Sequence, residues 1–109
     1  MENKITFDEW FASYYQIMIV EDRYSWFDGN YIAVACEYFD EEMMHIISDL
    51  SSDDVLSENA KNYLIKSEKV DDIIIGHGKT LNETINMIKN KAMHEWIDII
   101  DKDKQNNYN

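Results

Sequence analysis

Apolar residues in this chain recur at three- and four-residue spacing in several separate stretches, a period that predicts helices. Phe7, Trp10, Phe11, Tyr14 and Met18 form the first apolar stripe, with Asp8, Glu9 and Ser13 off it. Thr6-Phe7-Asp8-Glu9 precedes the stripe as a capping box, in which the Thr6 hydroxyl accepts from the Glu9 amide while Glu9 reaches back, and Ile5 and Trp10 fall at the staple positions. The spacing predicts a helix from this cap to Val20.

Glu21–Asn30 reads as a connection with turn chemistry at Asp28-Gly29-Asn30, although its Tyr24, Trp26 and Phe27 are too apolar for an idle loop and must pack on the core or on a partner. Residues 31–39, YIAVACEYF, are β-branched and aromatic enough for a strand, yet Ile32, Ala35, Cys36 and Phe39 keep helical spacing, and helix is the expectation. A further amphipathic stretch carries Met43, Met44, Ile47 and Leu50. Ser51-Ser52-Asp53-Asp54 then caps a helix whose predicted buried face is Leu56, Ala60, Tyr63 and Leu64, with Lys66 and Lys69 suiting its C-terminal end. Residues 70–75 read as a short helix or a buried strand, followed by a turn at Gly76-His77-Gly78. A second capping box, Thr80-Leu81-Asn82-Glu83, opens the longest predicted helix, with Leu81, Ile85, Ile88, Ala92, Trp96 and Ile99 as its stripe. The tail after Ile100 is polar. With no proline and three glycines to interrupt it, the chain is expected to form one all-α domain of four to six helices spanning residues 1–109.

Composition adds a constraint on partners. Residues 1–60 hold 14 carboxylates against Lys4 and Arg23, whereas residues 61–109 carry eight charges of each sign, so the net charge of −12 belongs entirely to the first half. Eleven of the 14 aromatic residues also precede position 40. A field of this sign repels nucleic acid and anionic lipid and attracts basic proteins, so neither direct nucleic-acid binding nor membrane binding is expected. Cys36 is the single cysteine and permits no internal disulfide. The start, MENKITFDEW, has no apolar h-region, and no stretch approaches a membrane span, which together favour a cytoplasmic location.

Catalytic chemistry finds little support. Glu42-Met43-Met44-His45 has the Glu-x-x-His spacing of carboxylate-bridged metal sites, but neither His77 nor His94 follows a glutamate by three residues, so the second half-site is missing. Cys36 sits among Val34 and Ala35 as a small core residue rather than an activated nucleophile. Gly76-His77-Gly78-Lys79 lacks the spacing of a phosphate loop, and Thr80 serves as an N-cap. No enzymatic activity and no cofactor or metal are expected.

The run EYFDEEMM, residues 37–44, places four carboxylates beside two aromatics and two methionines. Such a run is commonly the solvated face of a helix. Massing repulsive charge costs stability, however, and a surface built for solubility alone interleaves lysines, as the second half does. A binding face follows, with Asp40, Glu41 and Glu42 as one acidic cluster, Asp49, Asp53 and Asp54 as a second, and Tyr38, Phe39 and Trp26 as candidate anchors for which core packing is the alternative.

The aromatic opening WFASYYQ, this acidic aromatic middle, and EWIDII near the end resemble small immunity proteins of contact-dependent growth inhibition and bacteriocin systems. The resemblance implies a cytoplasmic antidote that forms a heterodimer with a toxin domain, most often a nuclease and a ribonuclease before a deoxyribonuclease, and blocks its active site. A cleft lined with Lys, Arg and His for phosphate accepts carboxylates without cleaving them. The alternative is a phage-encoded acidic mimic of nucleic acid, an antirestriction or anti-CRISPR protein. A mimic spreads carboxylates at phosphate-like intervals, whereas EYFDEEMM clusters them around apolar side chains.

Overall fold

The structure, a computed structural model, describes residues 6–70 and 73–106. Its elements run α1 (Phe7–Tyr14), β1 (Gln16–Glu21), β2 (Tyr31–Cys36), α2 (Glu41–Asp49), α3 (Asp54–Lys69), β3 (Ile74–Gly78) and α4 (Leu81–Asn106). The strands form one antiparallel sheet in the order β1-β2-β3, so the domain mixes helix and sheet and the all-α expectation is corrected. Four helices are present among the described residues, and it is the strands that the helical reading missed.

Two passages account for the difference. The Thr6 capping box forms as expected: the Thr6 hydroxyl accepts from the Glu9 amide at 3.2 Å and Glu9 accepts from the Thr6 amide at 2.9 Å. The proposed staple partner Ile5 lies outside the described residues. The helix ends at Tyr14 rather than Val20, because Tyr15 is extended and the following QIMIVE is rich in β-branched residues. Met18 therefore belongs to β1, not to the helical stripe. In β2, Ile32 through Cys36 are all buried. A strand with helices packed on both faces shows no polar alternation, so its continuous apolar run imitates a helix segment. Ile32, Val34 and Cys36 point into one core and Ala33 and Ala35 into the other, the two-residue period of a strand.

The sheet is thus the middle of three layers. On one side α2 and α3 supply Ile47, Leu50, Ala60 and Leu64 to a core with Ile32, Val34, Phe39 and Ile75. On the other, α1 and α4 bring Trp10, Phe11, Ile88 and Ala92 against Ala33 and Ala35. The small alanines of β2 let the aromatic residues of α1 approach, and Trp10 packs 5.3 Å, centroid to centroid, from both Tyr14 and Trp96.

Of residues 70–75, read as helix or strand before a glycine turn, Val70 caps the end of α3 and Ile74 and Ile75 are strand, which runs on through Gly76-His77-Gly78 in place of the turn. Asp71 and Asp72 lie outside the described residues. The glycines are there for close approach. A Cβ on Gly76 would stand 2.5 Å from both the Thr84 carbonyl oxygen and Ile88 Cγ1, so glycine is what lets α4 lie directly on β3. Thr80 caps α4 by accepting from the Glu83 amide at 3.1 Å, while Glu83 reaches back one residue further than expected, to the Lys79 amide at 2.9 Å.

Two predicted faces are rotated slightly. In α3 the buried positions are Ser57, Ala60, Leu64 and Ser67, leaving Leu56 and Tyr63 exposed. In α4 Thr84 takes the buried place expected of Leu81, with its hydroxyl donating to the Thr80 carbonyl. The Glu21–Asn30 connection is organised by buried Asp22, whose carboxylate accepts from the amides of Trp26 and Phe27 at 3.0 and 2.9 Å. Ser25 and Asp28 adopt positive φ on either side of this turn. No helix among the described residues is long and apolar enough to cross a membrane.

Candidate functional site

The acidic run straddles a structural boundary, with Glu37–Phe39 leaving the end of β2 and Asp40 starting α2. Asp40 is the N-cap of α2, its Oδ1 accepting from the Met43 amide at 2.8 Å, and Glu41 and Glu42 are exposed in the first turn. Asp53 caps α3 in the same way, accepting from the Leu56 amide at 2.8 Å, with Asp54 beside it. The two clusters share an architecture, a helix N-terminus whose partial positive charge favours carboxylates. They do not form one cluster, because α2 separates Asp40 from Asp53 by its own length of about 13 Å. Asp49 lies half-buried at the far end of α2.

The three candidate anchors have different fates. Phe39 is 8% exposed and belongs to the core with Ile47 and Leu50. Trp26 is half-buried, its indole N–H donating to buried Ser57 Oγ at 2.9 Å and the Lys61 ammonium lying 4.8 Å from its ring centroid, so it pins the connection to α3. Tyr38 is 74% exposed and remains available to a partner.

Tyr38 also joins the acidic run to a feature that sequence reading missed. A cleft of about 900 Å³ opens between the end of α1, the ends of β2 and β3, and α4. Its walls include Tyr14, Tyr15, Glu37, Tyr38, Glu95 and Asp98. The Tyr15 hydroxyl donates to the Glu95 carboxylate at 2.5 Å. Burial, and after it the Glu95 carboxylate, pushes the Tyr15 phenol far above its ordinary range. The Tyr14 phenol is pushed up as well, by burial and then by hydrogen bonding to Glu37. Both shifts are due first to burial, which disfavours the phenolate, and second to the neighbouring carboxylates of Glu37 and Glu95; Lys91 also lines the cleft. Cys36 lies at its floor with its thiol donating to the Tyr38 carbonyl at 3.2 Å; burial raises its pKa, as for an inert core thiol.

The cleft's signal in the sequence was faint. Lys91, Glu95 and Asp98 keep helical spacing on α4, and Tyr14-Tyr15 closes α1, but nothing local brings these segments to Glu37. Among the described residues the ion pairs are Lys91 with Glu68 at 2.9 Å and Lys89 with Asp8 at 3.6 Å, so Glu37, Asp40, Glu41 and Glu42 have no cationic partner there. Glu42 and His45 are both exposed on α2, and no group of three or more His, Cys, Asp or Glu among the described residues is arranged to hold a metal ion. Comparison of the chain with protein-family models, curated proteins and solved structures finds no match.

Proposed function

We propose that this is a binding protein that neutralises a basic toxin domain, an immunity protein whose contact surface runs from the tyrosine cleft across Tyr38 to the start of α2. One observation carries the reading: EYFDEEMM contributes both a wall of the cleft, through Glu37 and Tyr38, and the carboxylates Asp40, Glu41 and Glu42 just outside it, which have no cationic partner among the described residues. Massed carboxylates around an exposed tyrosine suit a partner rich in lysine and arginine, in which the acids steer the encounter and the aromatics hold it. A nuclease, and a ribonuclease before a deoxyribonuclease, supplies a surface of that kind, because its own substrate is a polyanion. The second acidic cluster, Asp49, Asp53 and Asp54, adds to the steering field from the other end of α2.

The test is protection of cells expressing a toxin domain encoded beside this gene. Asp40 needs care, since a lysine there removes a helix cap as well as a charge, and asparagine keeps the cap. A variant combining Asp40→Asn with Glu41→Lys and Glu42→Lys is expected to fold, to associate more slowly, and to lose most of the salt dependence and the protection. Protection equal to the parent protein's would reduce these three residues to a solvated helix face.

A further inference from the structure

The two edges of the sheet are finished differently. Glu21 pairs with Tyr31, and one residue on the Asp22 amide donates to the Asn30 carbonyl at 2.8 Å. In an antiparallel ladder the direction of these groups alternates, so Gln16, Met18 and Val20 bond inward to β2 while Ile17, Ile19 and Glu21 turn their N–H and C=O groups outward. Ser51 confirms the phase from outside, its hydroxyl donating to the Glu21 carbonyl at 2.7 Å. Beyond that contact the outward groups of β1 have no hydrogen-bond partner among the described residues.

On β3 the same alternation turns Ile75 outward, and both of its groups are occupied. The Ile75 amide donates to Glu68 Oε2 at 2.7 Å, and Lys91 Nζ donates to the Ile75 carbonyl at 2.8 Å. Two side chains that also pair with each other therefore stand where another strand would lie. Among the described residues, guards on edge β1 are confined to its Glu21 end, where that carboxylate and the Ser51 contact lie: the strand is six residues long, contains no proline or lysine, and leaves Ile19 41% exposed beside the open backbone.

We propose that β1 is a docking edge at which an extended basic segment of a partner protein adds a strand to the sheet, bonding to the main-chain groups of Ile17 and Ile19 and to the Glu21 amide. Main-chain pairing gives such a contact its affinity, and Ile19 supplies the apolar neighbour for an alternate side chain of the entering strand. Charge selects the occupant. A second copy would bring another net −12 against the first, whereas the Ser51 contact sets the turn between Asp49 and Asp53-Asp54 at the Glu21 end of the edge, where these carboxylates outnumber Arg23 and a further lysine or arginine is favoured. The basic chemistry of the partner is taken from the reading above, but the test needs no toxin, so the two can fail separately.

The probe is a synthetic peptide of alternating lysine and valine, added to the whole protein at low salt while amide hydrogen exchange is followed residue by residue. The amides of Ile17, Ile19 and Glu21 are expected to exchange at least about tenfold more slowly with the peptide present. A glutamate–valine peptide should leave them unchanged. Ile19→Pro, which removes an outward N–H and leaves the inner ladder intact, should abolish the effect, while Ile19→Thr keeps it. The proposal is overturned if the lysine peptide slows only amides outside β1, or none. It is also overturned if the acidic peptide protects equally, or if β1 becomes protected without peptide as protein concentration rises, which would make the occupant a second copy. Should Ile19→Pro fail to fold, the exchange pattern of the parent protein with the two peptides decides alone.

Discussion

Strands β1 and β3 are both edges of the same sheet, and the contrast between them follows the contrast between the halves of the sequence. The β3 edge is closed at Ile75 by Glu68 from α3 and Lys91 from α4, a cation and an anion drawn from the charge-balanced second half. The β1 edge lies in the half whose cations are Lys4 and Arg23. Arg23 stands just beyond the Glu21 end of the strand, donating to the Ser52 carbonyl at 3.2 Å and lying over the Tyr24 ring, and leaves the rest of the edge without a cation among the described residues. The lysines that natural edge strands use as guards are missing from β1 for the same reason that the first half carries the net negative charge. One compositional bias therefore produces both an acidic face and an unguarded strand.

The largest loss of stability is expected at Gly76, which lets β3 carry α4. Gly76→Ala sets a methyl group 2.5 Å from the Thr84 carbonyl and from Ile88, both fixed in α4, and must push helix and strand apart. A loss of about 3 kcal/mol in denaturant unfolding is expected, at the upper end of overpacking costs, because backbone rather than a flexible side-chain tip must yield. A cost under about 0.5 kcal/mol would mean that α4 rides loosely on the strand, and the rigidity assumed for the closed edge would go with it.

Opening the closed edge is the next largest change. Glu68→Ala leaves the Ile75 amide without its acceptor and Lys91 without its ion pair. Both side chains of that pair are partly exposed, so water replaces some of what is lost and the expected cost is about 1 kcal/mol. Glu68→Gln keeps an acceptor for the amide and should cost less. The sharper outcome is on exchange: in Glu68→Ala the Ile75 amide should lose protection, making β3 resemble β1.

High pH probes the region between these edges. The phenols of Tyr14 and Tyr15 titrate above the ordinary value of 10.0 in the folded protein, so the unfolded chain loses these protons first. Their contribution to stability is accordingly complete below pH 10 and is lost as the pH rises above it. Tyr15→Phe should flatten that alkaline decline, and an unfolding profile with the same slope in parent and variant would remove Tyr15 as its cause.

Legibility in the sequence divides along physical lines. Helix starts were readable because capping is local: Thr6 with Glu9, Asp53 and Thr80 each signal within four residues. Strand β3 was offered only as one of two readings of residues 70–75, and β1 and β2 were not readable, because β2 is buried on both faces and β1 is apolar on both, and the alternation that marks a half-buried strand is absent from each. Once β1 is lost the sheet is lost, and with it the edges and the cleft. Acidic positions were visible as charges, but Tyr38 was one of three aromatics beside them that the sequence left open between anchor and core. That Phe39 would be core and Trp26 would be tied to Ser57 depends on how the chain returns between layers, which no local pattern encodes.

The smallest expected effect on stability falls at Ile19. Its side chain is 41% exposed and its outward backbone groups bond to nothing among the described residues, so Ile19→Lys removes little that the isolated fold uses. A change within about 0.5 kcal/mol is expected, from a slightly poorer β propensity set against relief of the local negative field. Its effect on recognition should be large by comparison, since it places on β1 the charge that guards natural edges and repels a lysine-bearing strand at the point of pairing. The measurement is again exchange at Ile17, Ile19 and Glu21 with the lysine–valine peptide. Protection retained in Ile19→Lys would mean that backbone pairing tolerates a like charge there and that side-chain chemistry at this position does not select the partner. Protection lost from a variant as stable as the parent would separate recognition from folding at one residue, because the Ile19 groups that a partner strand needs are ones that no described residue bonds.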